Sequence, residues 1–336
     1  MSPAPTSLPP RSELILANLG TPAAPTPAAV RAFLAEFLGD PMVVEKPRWF
    51  WLPILHGIVL RVRPKKVAKA YEEIWSEAGS PLAAGTAALA QAVAAAHPDL
   101  RVTHCYRYGS PNLAERLAAS AAAHPGSDHP IRVVPLFPQR TASSSGTMEV
   151  LTAELAKSSG LEGRLSVASL SPIAGGYVEA LADSARRTLD ELGGDPHLLV
   201  SFHGIPQYVD DKEGNRYSQE CRATFDALLA ALELPAERAT LAFQSRFGFD
   251  PWIGPATDDK LVELAESGRG RVVVATPGFL TAGLETIEEL GIRGREDFME
   301  AGGEAFALAP PPVETTPMGP QPHPRFVEAL SALADG

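Results

Sequence analysis

The sequence predicts an α/β protein made of two similar doubly wound domains, each a four-stranded parallel sheet flanked by helices, with an active-site cleft between them. Three observations carry that expectation. The chain has 336 residues, about twice the ~150 of a typical single domain. Eight short apolar runs rich in Val, Ile and Leu punctuate it, four in each half. Between them lie longer stretches with apolar residues three and four apart, the spacing of a helix face.

In the first half the runs are ELILANLG (13–20), RVTHCYRYG (101–109), IRVVPLFP (131–138) and RLSVASLSP (164–172). In the second they are HLLVSFHG (197–204), RATLAFQS (238–245), RVVVATPG (271–278) and EAFALAPP (304–311). Each is too short for an amphipathic helix, and near-continuous apolarity suits a strand covered on both faces. Segments such as LAERLAASAAAH and CRATFDALLAAL read as helices between them. Strand alternating with helix requires parallel strands joined by right-handed crossovers. The expected division is a disordered tail over 1–11, an N-terminal α/β domain over 12–180 carrying a lip at 49–60, and a C-terminal α/β domain over 181–313. A hinge is expected near 173–195, a Pro-rich linker over 314–324 and a closing helix over 325–336. Met42, Val43 and Val44, just before the lip, read as core.

Composition removes several function classes. A net charge of −11, from 29 basic and 40 acidic residues, argues against nucleic acid as a partner. Two cysteines, Cys105 and Cys221, are too few for a disulfide framework or for the roughly four thiolates of an iron–sulfur cluster, so no cluster is expected and a reducing, cytoplasmic setting fits. The opening MSPAPTSLPP lacks the basic start and apolar run of a signal peptide. No stretch reaches the ~18–20 apolar residues of a membrane span. GxGxxG after a strand, GxxxxGK[ST], GxSxG, HExxH and paired CxxC are all missing, which removes the usual supports for nucleotide, serine-hydrolase and structural-zinc chemistry.

In open parallel sheets the ligand sits beyond the carboxyl ends of the strands. There the sequence places NLGTP (18–22), RYGSP (107–111), PLFPQ (135–139), SFHGIP (201–206), FQSRFG (243–248) and TPGF (276–279). His203 ends a strand and precedes Gly204 and Pro206, a turn that can expose an imidazole able to take protons near neutral pH or to ligate a metal. A histidine there can equally satisfy a backbone group. TPGFLTAGLETIEELG (276–291) runs from a strand into a helix expected near Ala282. Glu285 and Glu289, four apart, share one face of it, while Glu288 reads as a carboxylate favoured by the helix N-terminus.

Taken together, LANLGTP, RPKKVAKAYEEIW, GSPL, RYGSP, SFHGIP, the Tyr217 to Cys221 segment, FQSRFG with Trp252, and PGF followed by LETIEEL resemble, in order and over nearly the whole chain, the ferrochelatase family with its class II chelatase fold. The resemblance implies insertion of Fe(II) into a porphyrin in the last step of haem synthesis, with iron as substrate and no cofactor required. It implies His203 and Glu285 as the opposed catalytic and metal-handling pair, and Glu289 as an accessory metal group. It implies Leu19, Trp252 and Phe279 as porphyrin-lining residues, with Arg63 and Ser80 at the propionates. Segment 49–60 corresponds to the family's lip; with Arg61, Arg63, Lys65, Lys66 and Lys69 it is similar to an interfacial patch, which would make the protein membrane-peripheral, although a buried helix with a solvated basic flank has the same pattern. A monomer is expected.

The match departs from the family at Ala282 and Gly283, where many members carry Asp and Cys or His, and at Arg140, where a Tyr is common. Leu19 is closer to the protoporphyrin-using members than to those acting on coproporphyrin, which carry Tyr there. The leading expectation is therefore protohaem formation from protoporphyrin IX. The alternatives are a coproporphyrin III ferrochelatase, cobalt insertion into a precorrin-type ring, or a porphyrin or haem carrier that has lost turnover.

Overall fold

A computed structural model describes residues 11–123, 126, 128–248 and 250–335. Residues 1–10, most of the expected N-terminal tail, lie outside the described residues. The eight apolar runs form strands β1 (Ser12–Asn18), β2 (Leu100–Tyr106), β3 (Ile131–Pro135), β4 (Leu165–Val167), β5 (His197–His203), β6 (Ala239–Gln244), β7 (Arg271–Ala275) and β8 (Ala305–Leu308). They make two all-parallel sheets, β2-β1-β3-β4 and β6-β5-β7-β8. The two sheets share one strand order. In each, the first strand sits second, so the crossover direction reverses beside it, and the crevice for a ligand opens at its carboxyl end. Those ends are Asn18 and His203.

The helices that cover the first sheet and its rim are α1 (Pro27–Phe37), α2 (Arg48–Ile54), α3 (Leu60–Ile74), α4 (Pro81–Ala96), α5 (Leu113–Ala123) and α6 (Thr147–Ser158). The remainder are α7 (Gly175–Leu192), α8 (Gln207–Lys212), α9 (Arg216–Leu232), α10 (Thr257–Glu266), α11 (Arg295–Glu300) and α12 (Pro324–Ser331). Every residue of β1 is buried; its apolar run is Leu14–Ala17, and Ser12, Glu13 and Asn18 are buried polar groups at its two ends. Alternate side chains serve different cores. Leu14 and Leu16 join a cluster that also holds Leu89, Leu198, Phe202, Phe243 and Phe326, so one core runs through both halves. Ile15 and Ala17 face a separate cluster with Leu117 and Met148, and Leu199 and Val272 face another with Leu261 and Phe298.

Four expectations are corrected. The hinge near 173–195 is helix α7, which buries Tyr177, Val178, Leu181 and Ala185 along one face. The Pro-rich linker over 314–324 is mostly an antiparallel hairpin, β9 (Val313–Thr316) and β10 (Gly319–Pro322); prolines are tolerated on such an edge pair because the outward positions need no ladder donor. Met42, Val43 and Val44 are only partly buried. The helix expected near Ala282 starts later and is wound as a π-helix over Glu285–Gly294, a form frequent at functional sites.

Candidate active site

His203 closes β5 with its ring only partly buried. Its Nδ1 lies 2.7 Å from the Gly204 carbonyl oxygen. A carbonyl only accepts, so Nδ1 carries the proton, and the neutral ring keeps its Nε2 lone pair free for a proton or a metal. Tyr217 holds the strand end from below, its hydroxyl donating to the His203 carbonyl at 2.6 Å. The Phe279 ring, at the end of the β7 loop, stands 6.5 Å from the imidazole, centroid to centroid.

Glu285 opens the π-helix, and its carboxyl accepts from its own backbone amide. Burial pushes its pKa up, the positive charge available to His203 pulls it down, and the neighbouring carboxylates of Glu289 and Glu288 push it up again. His203 and Glu285 are thus within electrostatic reach. Tyr71 on α3 is close enough that the Glu285 charge, after burial itself, also raises its phenol. Glu289 receives the amide and hydroxyl of Ser245 at 2.8 and 2.6 Å. Ser245 follows β6 in the left-handed region at φ 66°, a conformation that turns both its donors to one carboxylate. Glu288, in the first turn of the π-helix as expected, also makes a two-point pair with Arg293 at 2.7 and 3.1 Å.

Leu19 is half-buried at the tip of β1, and its carbonyl accepts from the Tyr108 amide at 2.9 Å. Next to it, Asn18 donates to Thr86 at 2.9 Å and reaches Thr281 of the other half at 3.4 Å. Arg63 lies on α3 with its guanidinium 4.5 Å above the exposed Phe247 ring, and burial lowers its pKa. Ser80 is buried at the N-terminus of α4. Trp252 is partly buried and lines a cavity of about 200 Å³ with Gly204, Gln244 and Arg246. The structure therefore gathers His203, Phe279 and Glu285 at the strand tips, and puts Arg63 on Phe247. Among the described residues no three His, Cys, Asp or Glu side chains converge as a metal-ligand set, so Glu289 is not joined to His203 and Glu285 as a third ligand.

A family model for ferrochelatase matches residues 11–335. The chain belongs to the ferrochelatase family. It is 41% identical over 328 residues to a ferrochelatase of Neisseria meningitidis, covering 97% of this chain and 93% of that one. A ferrochelatase of Neisseria gonorrhoeae matches with the same identity and coverage. The structure of SirB from Bacillus subtilis with Fe3+ aligns at a TM-score of 0.53 and 13% identity over 96% of each chain, which shows the shared fold. Ferrochelatases are porphyrin metal chelatases of haem biosynthesis, so a porphyrin and ferrous iron are the substrates here.

For a ferrochelatase site, two groups, Ser245 and Tyr71, escaped the sequence reading. Ser245, which holds Glu289, lies inside the quoted FQSRFG run but shows its role only through its backbone conformation. Tyr71 was concealed in a basic helical segment. Arg140 is paired with Glu149 at 2.8 Å, and its backbone amide donates to Glu220 at 2.7 Å, so it ties the two halves together.

Proposed function

We propose that this ferrochelatase inserts Fe(II) into protoporphyrin IX, giving protohaem. The metal replaces the two inner pyrrole hydrogens, which leave as two protons, and no electron is transferred. The observation that carries the reading is the His203 tautomer: with Nδ1–H spent on the Gly204 carbonyl, Nε2 is free to act as a base. Nε2 accepts a pyrrole proton. The imidazolium that forms is stabilised by the Glu285 carboxylate, whose raised affinity for protons lets it take the proton onward. Glu289, tethered to Ser245, continues the path outward. Leu19, Phe279 and Trp252 supply apolar walls for the disc, and Arg63 and Ser80 meet the propionates.

An anaerobic insertion assay with Fe(II), run in parallel on protoporphyrin IX and coproporphyrin III, tests this. Protoporphyrin is expected to show the higher kcat/KM. The reverse order assigns the protein to coproporphyrin, and porphyrin binding without metalloporphyrin leaves a carrier.

The protein works as a cytoplasmic monomer that touches membrane surfaces. No described helix is long and apolar enough to cross one. Support comes from the lip and the start of α3, where Trp49 is 80%, Ile58 60% and Val62 68% exposed, beside Arg48, Arg61, Lys65, Lys66 and Lys69. Apolar side chains flanked by cations suit an anionic bilayer. Co-sedimentation with vesicles containing phosphatidylserine, lost with Trp49→Glu, is the expected result; equal recovery with and without vesicles overturns it.

A further inference from the structure

Asp40 is 8% exposed and lies between α1 and the lip. Its Oδ1 accepts from the Met42 amide at 2.8 Å. Its Oδ2 accepts from Arg107 Nη2 at 2.6 Å, the Tyr108 hydroxyl at 2.9 Å and Thr147 Oγ1 at 3.0 Å. Its backbone carbonyl accepts the amides of Val43 and Val44, both at 3.1 Å. A carboxylate offers about four acceptor positions, so these donors saturate it. Thr147 in turn accepts from Arg107 Nε at 2.7 Å, closing a ring of three side chains.

What these donors carry gives the cluster its meaning. Arg107 and Tyr108 donate their amides to Asn18 and Leu19 at 2.8 and 2.9 Å, so their loop holds the porphyrin wall at the tip of β1. Residues 42–44 lead into Glu45 and Lys46, which reach across the cleft to Lys212 at 2.8 Å and Asp250 at 3.3 Å. We propose that Asp40 is a positioning residue that fixes the Leu19 loop and the base of the lip in one frame, and so sets the width of the porphyrin cleft. This rests on the porphyrin reading of the cleft. The side-chain partners of Asp40 are Met42, Arg107, Tyr108 and Thr147, which hold the wall and not His203, so its loss acts on binding rather than on the chemical step.

The test measures protoporphyrin binding by fluorescence quenching, then KM, kcat and Tm, in the full-length protein. Should the wild type fail to bind porphyrin, the porphyrin reading fails and this proposal with it. Asp40→Asn turns an amide donor toward Arg107 or Thr147 and is expected to raise KM about tenfold, the worth of one charge-assisted hydrogen bond, with kcat within about twofold. Asp40→Asn/Arg107→Leu removes the stranded charge and is expected to recover Tm but not KM, because the frame stays broken. An unchanged KM in the single variant, or a KM that recovers along with Tm in the double, overturns the proposal. If Asp40→Asn does not fold, Tyr108→Phe removes one donor alone; a KM raised severalfold at unchanged Tm supports the frame, and an unchanged KM refutes it.

Discussion

The two halves of the chain have the same sheet order, yet they bring different chemistry to the cleft. At the tip of β5 the second half carries His203, and beyond β7 it carries Phe279 and Glu285. At the matching tip of β1 the first half carries Asn18 and Leu19, braced by the loop after β2. On the proposed roles, the proton-exchanging pair lies in the second half together with the walls Phe279 and Trp252, while the first half contributes to binding alone through Leu19, Arg63 and Ser80. Topology dictates where a site opens, since both crevices lie at the point where strand order reverses. Which half reacts is decided by the side chains at the tips.

On those roles, loss of His203 or Glu285 should appear in turnover and damage to the first half in binding or folding. His203→Ala is the most severe case. Removing a general base costs about 10²–10⁴-fold, and kcat is expected to fall by about a thousandfold while porphyrin quenching persists. Turnover close to wild type in single-turnover assays would sink the assignment of His203.

Glu285→Gln is expected to lower kcat by about a hundredfold. It also has a pH signature. Burial lifts the native pKa of Glu285 above its ordinary 4.5, so the native state holds the proton more tightly than the unfolded chain does. The wild type is thus favoured at low pH and loses that stability as pH rises from 4.5 through the raised native value. The Gln variant lacks the penalty. Its Tm relative to wild type should rise across that window and level off above it; a Tm difference that is flat in pH would mean that the carboxyl is not penalised by burial.

The strands were legible because burial on both faces leaves short continuous apolar runs, as in Leu14–Ala17 of β1. The positions of His203 and Glu285 could be read because His203 ends the β5 run and Glu285 lies in the run that leaves β7. The segment expected as a hinge near 173–195 is instead helix α7, which begins with Gly175 and Gly176. Gly176 permits close helix crossing: a Cβ there would sit 2.2 Å from the Arg325 carbonyl oxygen of α12. The π-winding over Glu285–Gly294 has no residue signature. Asp40 was illegible because its partners Arg107 and Thr147 lie 67 and 107 positions away in the chain, a distance that no local pattern spans.

Gly20→Ala probes the wall. Gly20 has φ +111°, and a Cβ would lie 2.0 Å from the Tyr108 carbonyl oxygen. Both left-handed strain and a backbone clash apply, so stability should fall by about 3 kcal/mol. Thermal unfolding checks this; the folded fraction should bind porphyrin weakly and still convert what it binds.

Lys46→Ala should have the smallest effect, and it bears on where the wall's rigidity resides. Lys46 pairs with Asp250 at 3.3 Å and lies 5.6 Å from the Tyr208 ring centre. Both charged side chains are about half exposed, at 43% and 50%, so solvent and salt screen the pair, and such contacts are worth about 0.2–1 kcal/mol. The expected change in KM is under about twofold, vanishing at high ionic strength. Asp40, four residues after Glu36 and six before Lys46, is shielded from that screening by burial. An effect of Lys46→Ala as large as that of Asp40→Asn would place the closure of the cleft in its exposed rim instead of the buried joint beneath it.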